Sequence, residues 1–425
     1  QEIMNNSRRR FIKQSGSAAI GATLLNGTVT QSSLGRILGN QTGSKPTLVV
    51  IYLRGGADAL NVVIPYKEKK YAELRPTIAL PGPDTKDENR AIPLDDTFAL
   101  NPNLKGFAKL YEKGQCAPII CVGSPHPTRS HFSAQDYMER AAPGMPNVTT
   151  GWLNRYLEET KSENDPDLRS FVLQPQLPRS LRGTYPVVAM PRRLSDQTME
   201  IYKDSYNNMT TKRKGSGQQL KGQILSTGKS TIANLKELNR LIGQDSGSGD
   251  SNYPKTPFGA RMSNVAKIIK ANKGTEVTAL DYGGWDHHQN EGPIDGALGT
   301  QLADLGDSIT AFADDLGERM ERVLVLVMSE FGRTVRENGN NGTDHGHGGA
   351  MFAIGRMISE KKTYGTWNGL EDPNLYKNRD LPVNTDFRSV FAESIHSLFG
   401  FDGIKAGLFP KYSRENQPLN FLRKV

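Results

Sequence analysis

Uninterrupted apolar runs, each followed closely by glycine, constrain the fold of this chain most strongly. Residues 47–53 read TLVVIYL, residues 117–123 read APIICVG, and residues 322–332 read RVLVLVMSEFG. A strand with one face in water alternates apolar and polar residues, whereas an uninterrupted apolar run is typical of a strand that is covered on both faces. We therefore predict a mostly parallel sheet with strands at these positions and further strands at 275–284 and 350–355.

Amphipathic segments lie between these runs and predict the helices that cover the sheet. The clearest one spans residues 298–316, where leucine, isoleucine and phenylalanine recur at helical spacing. Shorter helical patterns occupy residues 133–142, with Ser133 as the expected N-cap, and residues 386–400. Strands that alternate with helices indicate an α/β fold with helices on both faces of the sheet.

The chain is long enough for one large domain, which we expect to span residues 45–425. Proline-rich and Lys/Ser/Gly-rich stretches and helical patterns alternate over residues 180–255, and we interpret this region as a helical insertion or cap within that domain. No apolar stretch reaches the length of a clear membrane span, so we expect no transmembrane segment.

The charge distribution argues against a nucleic-acid partner. The net charge is +8, but residues 1–44 hold five basic residues and one acidic residue, which leaves 48 basic and 44 acidic residues in the rest of the chain. The sequence shows no basic stripe with interleaved aromatic residues, which a nucleic-acid surface would need. The oligomeric state does not follow from the sequence.

The N-terminal segment has the layout of an export signal. Basic residues in SRRRFIK, which begins at Ser7, precede an Ala/Gly-rich, weakly apolar stretch. This segment resembles the twin-arginine export consensus, and the alternative is a disordered basic tail. We therefore expect residues 1–44 to be an export signal and linker, the twin-arginine translocase to be a partner, and the protein to reside in the periplasm or at the cell surface of a bacterium.

Six of the seven histidines fall in three short loops beside predicted strands. They are His126, His131, His287, His288, His345 and His347. Carboxylates accompany them, since Asp286 precedes the second pair, Asp344 precedes the third pair, Asp58 follows the first strand and Glu330 closes the run at 322–332.

Ligands of open α/β sheets bind outside the carboxyl ends of the strands. We therefore expect one site there, formed by Asp58, Ser130, His131, Asp286, His288, Glu330, Asp344 and His345. Mixed imidazole and carboxylate ligands suit a divalent metal ion, with Zn, Ca, Mn and Fe as the alternatives. The candidate metal ligands are Asp58, Asp286, His288, Glu330, Asp344, His345 and His347. Glu330 has a second interpretation as an ion-pair partner of Arg333, His347 as a bystander, and His131 as either a site residue or a structural residue.

A nucleophile for group transfer has two candidates in PTRSHF, residues 127–132. Ser130 and Thr128 supply hydroxyls, and Arg129 between them supplies a guanidinium of the kind that holds phosphate or sulfate through two hydrogen bonds. We predict Ser130, Thr128, Arg129 and His131 as catalytic residues. The alternative is an ordinary polar loop in which the serine caps a helix.

Several segments, in order along residues 47–400, resemble the exported protein family called domain of unknown function 1501. The chain shares with it LRGGADALNVVIP, GSPHPTRSHFSAQD, GGWDHHQN and VLVMSEFGRTVRENGNNGTDHGHGGAMFAIG. That family is similar to the alkaline phosphatase and sulfatase superfamily. The resemblance implies a three-layer sandwich with a mostly parallel central sheet, metal ions held by Asp and His at the strand ends, and a Ser, Thr or modified Cys nucleophile.

The same resemblance assigns residues to roles. It implies that Asp58 matches the aspartate after the first strand, that Asp286 and His288 bind one metal, and that His345 is the late histidine before a final strand. Glu330 departs from the superfamily pattern, which has an Asp-His pair there. The segment SPHPTRS does not fit the spacing of the sulfatase signature and contains no Cys.

These observations predict an exported, metal-dependent hydrolase of phosphate or sulfate esters. Its substrate would be a small anionic ester or a sulfated or phosphorylated glycan. The alternative is a non-catalytic exported binding or surface-assembly protein that keeps the fold, with a structural metal. An oxidoreductase is disfavoured, because no G-x-G-x-x-G opens a helix after the first strand.

Overall fold

An eight-stranded sheet runs through the centre of the computed structural model. The strands of the described chain are β1 (Thr47–Arg54), β2 (Val63–Ile64), β3 (Ile92–Pro93), β4 (Ala99–Leu100), β5 (Cys116–Gly123), β6 (Ser170–Val172), β7 (Val188–Ala189), β8 (Val277–Gly283), β9 (Val323–Ser329), β10 (Gly349–Ile354) and β11 (Thr385–Asp386). The strand order of the large sheet is β11-β5-β10-β9-β1-β8-β6-β7, and a separate three-stranded sheet has the order β2-β4-β3. The structure describes residues 45–190, 193–195, 197–201, 203–204, 218–243, 252–413 and 418–423, with the backbone alone for 218–229.

The large sheet is parallel except at one strand, which confirms the predicted mostly parallel α/β fold. Strand β1 pairs in parallel with both β8 and β9. Strand β10 pairs antiparallel with both β9 and β5. The reversed direction of β10 has a consequence for the site, because the residues before β10 lie at the same edge as the residues after β1, β5, β8 and β9.

Helices cover both faces of the sheet. The helices delimited in the described chain are α1 (Ala59–Val62), α2 (Lys69–Leu74), α3 (Lys105–Glu112), α4 (His131–Glu139), α5 (Trp152–Glu159), α6 (Gln218–Gly243), α7 (Pro257–Lys270), α8 (Ala297–Leu316) and α9 (Phe387–Phe399). Alternate residues of β1 enter two different cores. Val49 and Ile51 pack in the core that includes residues of α3, α7 and α8, whereas Leu48 and Val50 pack in the core that includes residues of α5 and α9.

Complete burial explains why these strands lack polar residues. Val49 and Ile51 are 0% exposed on one face of the sheet, and Leu48 is 0% exposed on the other. Each such side chain contributes roughly 1.5–3 kcal/mol relative to an exposed one. A polar residue on either face of β1 would therefore lose this contribution and would also need a buried hydrogen-bond partner.

Part of residues 180–255, the segment predicted as an insertion, packs in the core that also includes residues of α7. Leu235, Leu238 and Leu241 of α6 pack in the core on the α7 side of the sheet. The contacts group the chain from Lys45 onward into one unit. In the part of the chain that the structure describes, no helix combines the length and the apolar character that crossing a membrane requires. Residues 1–44, which carry the predicted export signal, lie outside the described residues.

Helix α4 begins three residues earlier than its sequence pattern predicts. Ser130 is the N-cap, with an extended backbone, and Ala134 N donates to Ser130 O at 2.9 Å. The predicted N-cap, Ser133, lies inside the first turn instead. His131 is therefore the first residue of a helix, which fixes its ring relative to the sheet edge and places Gln135 one turn further on the same helix face.

Candidate metal centre

Four side chains from three loops at one edge of the sheet form a connected group. Ligand atoms of His131, Asp286 and His345 all lie within 4.8 Å of one another, and His288 contacts the last two. His131 stands at the start of α4 after β5, Asp286 and His288 follow β8, and His345 precedes β10. The loop after β1 lies directly against the second of these loops. A Cβ atom at Gly55 would lie 2.5 Å from the backbone N of Asp286, and the φ of Gly55 is +130°. Only glycine permits this approach, so Gly55 fixes where Asp286 stands.

The converging atoms are three imidazole nitrogens and one carboxylate. His345 Nε2 lies 2.9 Å from His131 Nε2 and 3.0 Å from His288 Nε2. Asp286 Oδ1 lies 3.0 Å from His288 Nε2 and 3.2 Å from His345 Nε2. Asp286 Oδ2 lies 3.3 Å from His131 Nε2. We refer to His131, Asp286, His288 and His345 as the His₃Asp cluster.

Each imidazole of the cluster is oriented through its other nitrogen. His131 Nδ1 lies 2.8 Å from Glu330 Oε1, His345 Nδ1 lies 2.8 Å from the backbone oxygen of Arg129, and His288 Nδ1 lies 3.1 Å from Asp344 Oδ1. Carbonyls and ionised carboxylates only accept hydrogen bonds, so Nδ1 of each ring carries the hydrogen. In the neutral rings, each Nε2 therefore carries a lone pair, and Nε2 of His345 contacts both of the others.

Two bare imidazole nitrogens at 2.9–3.0 Å repel unless a proton or a metal ion lies between them. With three imidazoles and one carboxylate as donors, the His₃Asp cluster fits a divalent metal ion. The arrangement is the one found around metal-binding histidines, whose second nitrogen donates to a carboxylate or carbonyl. Ligands of a tetrahedral zinc site, with bonds of about 2.0–2.1 Å, stand about 3.3 Å apart. The contacts between ligand atoms of the cluster, at 2.9–3.3 Å, are close to that spacing. Nitrogen-rich ligands favour zinc over calcium.

Solvent reaches the cluster. The side chains of His131 and His345 are 26% and 24% exposed, and those of His288 and Asp286 are 39% and 42% exposed. A metal site that only stabilises a fold is normally closed by its ligands, whereas a catalytic site keeps a side open to substrate. The exposure of all four side chains indicates the open kind.

A buried arginine holds the carboxylate of the cluster. Arg333 Nη2 donates to Asp286 Oδ1 at 2.5 Å, and the same guanidinium donates to backbone oxygens of Gly55, Gly56 and Trp285. Burial alone would raise the pKa of Asp286, but the Arg333 hydrogen bond and charge hold it below its usual range. Asp286 is therefore a carboxylate, the form that binds a metal.

Burial and hydrogen bonds set the protonation of the groups around the centre. Burial lowers the pKa of His345, which keeps that ring neutral. Although burial acts to raise the pKa of Glu330, hydrogen bonds from His131 and Gln135 hold it below its ordinary value. The hydrogen bond to Glu330 raises the pKa of His131, against the effect of burial, and so favours a ring with a hydrogen on both nitrogens. Glu330 holds the hydrogen on His131 Nδ1, and a metal at Nε2 would displace the other one.

Among the predicted ligands, the structure brings together Asp286, His288 and His345, and it adds His131 from the predicted catalytic residues. Glu330 does not face the centre, because its Oε1 accepts from His131, Gln135 and the backbone of Gly55 at 2.8–2.9 Å. The predicted alternative of a Glu330–Arg333 pair is also not formed, since Arg333 binds Asp286 instead.

Asp344, Asp58 and His347 also stand outside the cluster. Asp344 orients His288 rather than facing the centre. Both carboxylate oxygens of Asp58 bind the guanidinium of Arg75, with a distance of 2.9 Å for the Nη2 contact, so they are not directed at the histidines. His347 is buried with its ring against Tyr376, at 4.3 Å between centroids. In this structure, these three predicted ligands therefore lie outside the His₃Asp cluster.

The predicted nucleophile loop lies beside the centre, but its guanidinium is engaged. Arg129 forms an ion pair with the buried Asp380 and contributes to the centre through its backbone oxygen. Thr128 Oγ1 accepts from the backbone N of Ser130 at 3.2 Å. Ser130 is exposed, and its side chain makes no capping hydrogen bond in the described structure. Of the two hydroxyls, that of Ser130 is the more accessible.

Three supporting residues were missed by sequence reasoning. Gln135 donates to Glu330 at 2.9 Å, and Asn338 donates to both the backbone oxygen of His288 and Asp344 Oδ1. Arg333 was considered only as a partner of Glu330. Gln135 has a usable signal, because it follows His131 by four residues on one helix, but this requires the correct helix start.

The orienting role of Glu330 gives a first testable expectation. Glu330→Gln keeps the side-chain volume but removes the charge that holds His131 in its tautomer. We expect the affinity for Zn²⁺ to fall by roughly 10–100-fold, the range typical of lost orienting groups. Isothermal titration calorimetry on the metal-free protein measures this affinity. Glu318→Gln, at an exposed position, is the matched control, and equal affinities for the two variants would contradict the assigned role of Glu330.

The fold and the cluster together define an α/β protein with a candidate metal centre at the carboxyl edge of its sheet. The chain belongs to the family described as "Protein of unknown function (DUF1501)", whose sequence model matches residues 45–407. A comparison with functionally curated proteins gives no match.

Solved structures similar to this chain include sulfatases and alkaline phosphatases, as the sequence resemblance predicts. The PsFucS1 sulfatase from Pseudoalteromonas sp. is 13% identical, with 92% of this chain and 74% of that chain covered and a TM-score of 0.41. The alkaline phosphatase from the Antarctic bacterium TAB5 is 11% identical, with 74% and 92% covered and a TM-score of 0.30. The C-terminal periplasmic domain of EcEptC from Escherichia coli, in complex with Zn, is 7% identical, with 74% and 75% covered and a TM-score of 0.32.

Proposed function

We propose that this protein is an exported, metal-dependent hydrolase of phosphate or sulfate esters. The observation that carries the proposal is a connected group of three imidazole Nε2 atoms and one carboxylate that solvent reaches. A divalent metal bound there would act as a Lewis acid on an ester oxygen and lower the pKa of a bound hydroxyl or water. Hydrolysis breaks the bond between phosphorus or sulfur and the alcohol oxygen, water supplies the new oxygen, and the alcohol leaves with a proton.

The chain's own residues would hold this chemistry in place. His131, Asp286, His288 and His345 would bind the metal, with Zn²⁺ as the first choice and Mn²⁺ or Ca²⁺ as alternatives. Ser130 is our candidate nucleophile, because its hydroxyl is exposed and directly precedes His131 in the chain. We assign no anion-binding role to the guanidinium of Arg129, which pairs with Asp380.

Export is supported by the sequence alone, through the twin-arginine resemblance of residues 7–13. Export of a folded protein would allow the metal to be inserted before translocation. Under this proposal, the twin-arginine translocase is a partner and the bacterial periplasm or cell surface is the location.

One experiment tests the hydrolase proposal. The purified protein is analysed for bound metal by mass spectrometry and then assayed with 4-nitrophenyl phosphate, 4-nitrophenyl sulfate and phosphorylated or sulfated sugars. We expect about one equivalent of a divalent metal and hydrolysis of at least one ester class. Asp286→Ala and Ser130→Ala should each lower kcat by at least about 100-fold, a loss in the range that removal of a catalytic electrostatic group or nucleophile produces. His396→Ala, at an exposed helix position, should not lower kcat.

The engaged Arg129 favours one competing function, a non-catalytic exported binding or surface-assembly protein with a structural metal. Such a protein would bind metal with the same residues and hydrolyse no ester. Metal binding that is weakened in Asp286→Ala, combined with the absence of ester hydrolysis by the metal-loaded protein, would decide for this alternative. Activity that survives in Asp286→Ala would contradict both functions.

A further inference from the structure

A hollow of about 280 Å³ adjoins the His₃Asp cluster on the side of Asp344. Two residues that line the hollow also form hydrogen bonds to the backbone of cluster residues. Asn338 holds the backbone of His288, and Arg379 Nη2 donates to the backbone oxygen of His345 at 3.0 Å. A molecule in this hollow would therefore lie next to the loops that carry two of the proposed metal ligands.

The floor of the hollow is apolar, and its rim is polar with both signs of charge. Leu74, Val335 and Leu375 are buried members of one small core and form the floor. Arg336 and Asp372 are exposed on the rim, and neither side chain has an ion-pair partner among the described residues.

A turn with unusual backbone angles forms another part of the rim. Lys377 and Asn378 have φ values of +55° and +53°, and the flanking Tyr376 and Asp380 exchange backbone hydrogen bonds at 2.8 and 3.1 Å. Left-handed backbone is costly for a lysine and tends to persist where the surrounding structure requires it. Here the turn places the Asn378 amide and the Arg379 guanidinium on the same hollow.

This lining matches a sugar ring better than a simple anion. Each hydroxyl of a sugar both donates and accepts, and the rim offers a guanidinium and an amide as donors together with a carboxylate and an amide as acceptors. A site for a bare anion has no use for the carboxylates of Asp372 and Asp344. The apolar floor suits the C–H face of a ring, and a volume of about 280 Å³, just below the usual range of ligand pockets, suits a ligand as small as one monosaccharide unit.

We propose that the hollow binds a monosaccharide unit, which is the alcohol part of the ester under hydrolysis. Binding of the sugar is independent of the proposed hydrolase function, but its role as the alcohol part of a substrate rests on that function. The substrate class is then phosphorylated or sulfated sugars, and Arg336 and Asn378 determine the specificity for the sugar.

Two variants with matched controls test this inference. Arg336→Ala removes the rim guanidinium, with exposed Arg319→Ala as control. Asn378→Gly removes the amide without straining the turn, with Asn272→Gly as control, since Asn272 is exposed and has a φ of +51°. We expect Arg336→Ala and Asn378→Gly to raise KM for hexose phosphates or sulfates about tenfold more than KM for the matching 4-nitrophenyl ester, and the controls to show no such selectivity.

Saturation-transfer NMR with free glucose, galactose and glucuronate provides a readout that does not need activity. We expect saturation transfer to at least one sugar with the wild-type protein and its loss in Arg336→Ala and Asn378→Gly. If no ester is hydrolysed but this binding pattern is found, the hydrolase proposal fails and the sugar site stands. If aryl esters are hydrolysed while none of these sugars receives saturation, or if variants and controls behave alike, the sugar site is wrong and the hydrolase proposal stands.

Discussion

His345→Ala is expected to abolish tight metal binding while the protein remains folded. His345 Nε2 lies within 3.2 Å of three other atoms of the cluster, namely Nε2 of His131, Nε2 of His288 and Oδ1 of Asp286. Nε2 of His131 and Nε2 of His288 each contact two atoms of the cluster. Loss of an orienting group costs roughly 10–100-fold in metal affinity, and we expect loss of this ligand to cost more. Competition against a zinc-binding dye measures the affinity, and circular dichroism checks the fold.

The control for this prediction is His396→Ala, because His396 is exposed on α9 and offers the same substitution outside the cluster. Zinc affinity should be unchanged in the control. A wild-type affinity in His345→Ala would contradict the His₃Asp cluster as the metal site and would move attention to another group of ligands.

Asp58→Asn is expected to destabilise the fold strongly without removing a metal ligand. Asp58 is 2% exposed and Arg75 is 0% exposed, and their two-point ion pair joins the loop after β1 to the end of α2. The substitution leaves the Arg75 charge buried without its partner, which typically costs about 3–5 kcal/mol. Urea denaturation gives the free energy of unfolding, and the exposed Asp84→Asn, which breaks a surface pair with Lys67, should change it little.

The same experiment decides between the two roles considered for Asp58. Asp58→Asn should retain the increase in unfolding free energy that saturating Zn²⁺ gives the wild-type protein, because ligand binding to the native state adds stability according to its affinity. If Asp58 were a ligand, as the sequence predicts, this increase would largely disappear. A loss of the zinc-dependent increase would therefore show that the structure's assignment of Asp58 is wrong.

The stability contributed by Asp58 should also depend on pH. Burial acts to raise the pKa of Asp58, but the charge and hydrogen bonds of Arg75 hold it below its ordinary value. A carboxyl group with a lowered pKa in the folded state contributes stability above its unfolded pKa of about 3.9 and loses it as the pH falls further. The difference in unfolding free energy between wild type and Asp58→Asn should therefore shrink below about pH 4.

The sheet could be predicted because burial on both faces leaves a direct mark on the sequence. The apolar runs at 47–53, 117–123 and 322–332 became β1, β5 and β9 with shifts of a few residues at their ends. The direction of β10 relative to its neighbours could not be predicted, because an apolar run fits a sheet equally well in the parallel and in the antiparallel orientation. Its antiparallel pairing with β9 and β5 is what brings His345 to the carboxyl edge of the other strands.

The loops that form the site could be predicted, but not which of their side chains face the centre. Crowding of Asp and His in loops beside strands identified Asp286, His288 and His345 as candidates. The distinction between groups that face the centre and groups that orient them depends on side-chain direction, so Glu330 and Asp344 looked the same as Asp286. The pairing of Asp58 with Arg75 could not be predicted, because Arg75 lies 17 residues away and no spacing rule pairs the two.

The most direct test of the metal centre is X-ray absorption spectroscopy of the purified protein loaded with one equivalent of Zn²⁺. The His₃Asp cluster should give a first shell of three nitrogen atoms and at least one oxygen at about 2.0–2.1 Å, with the outer-shell scattering of imidazole rings. Asp286→Ala should keep the three-imidazole signal and change the oxygen part of the shell. A first shell made only of oxygen atoms, or failure of the wild-type protein to bind Zn²⁺, would contradict the account.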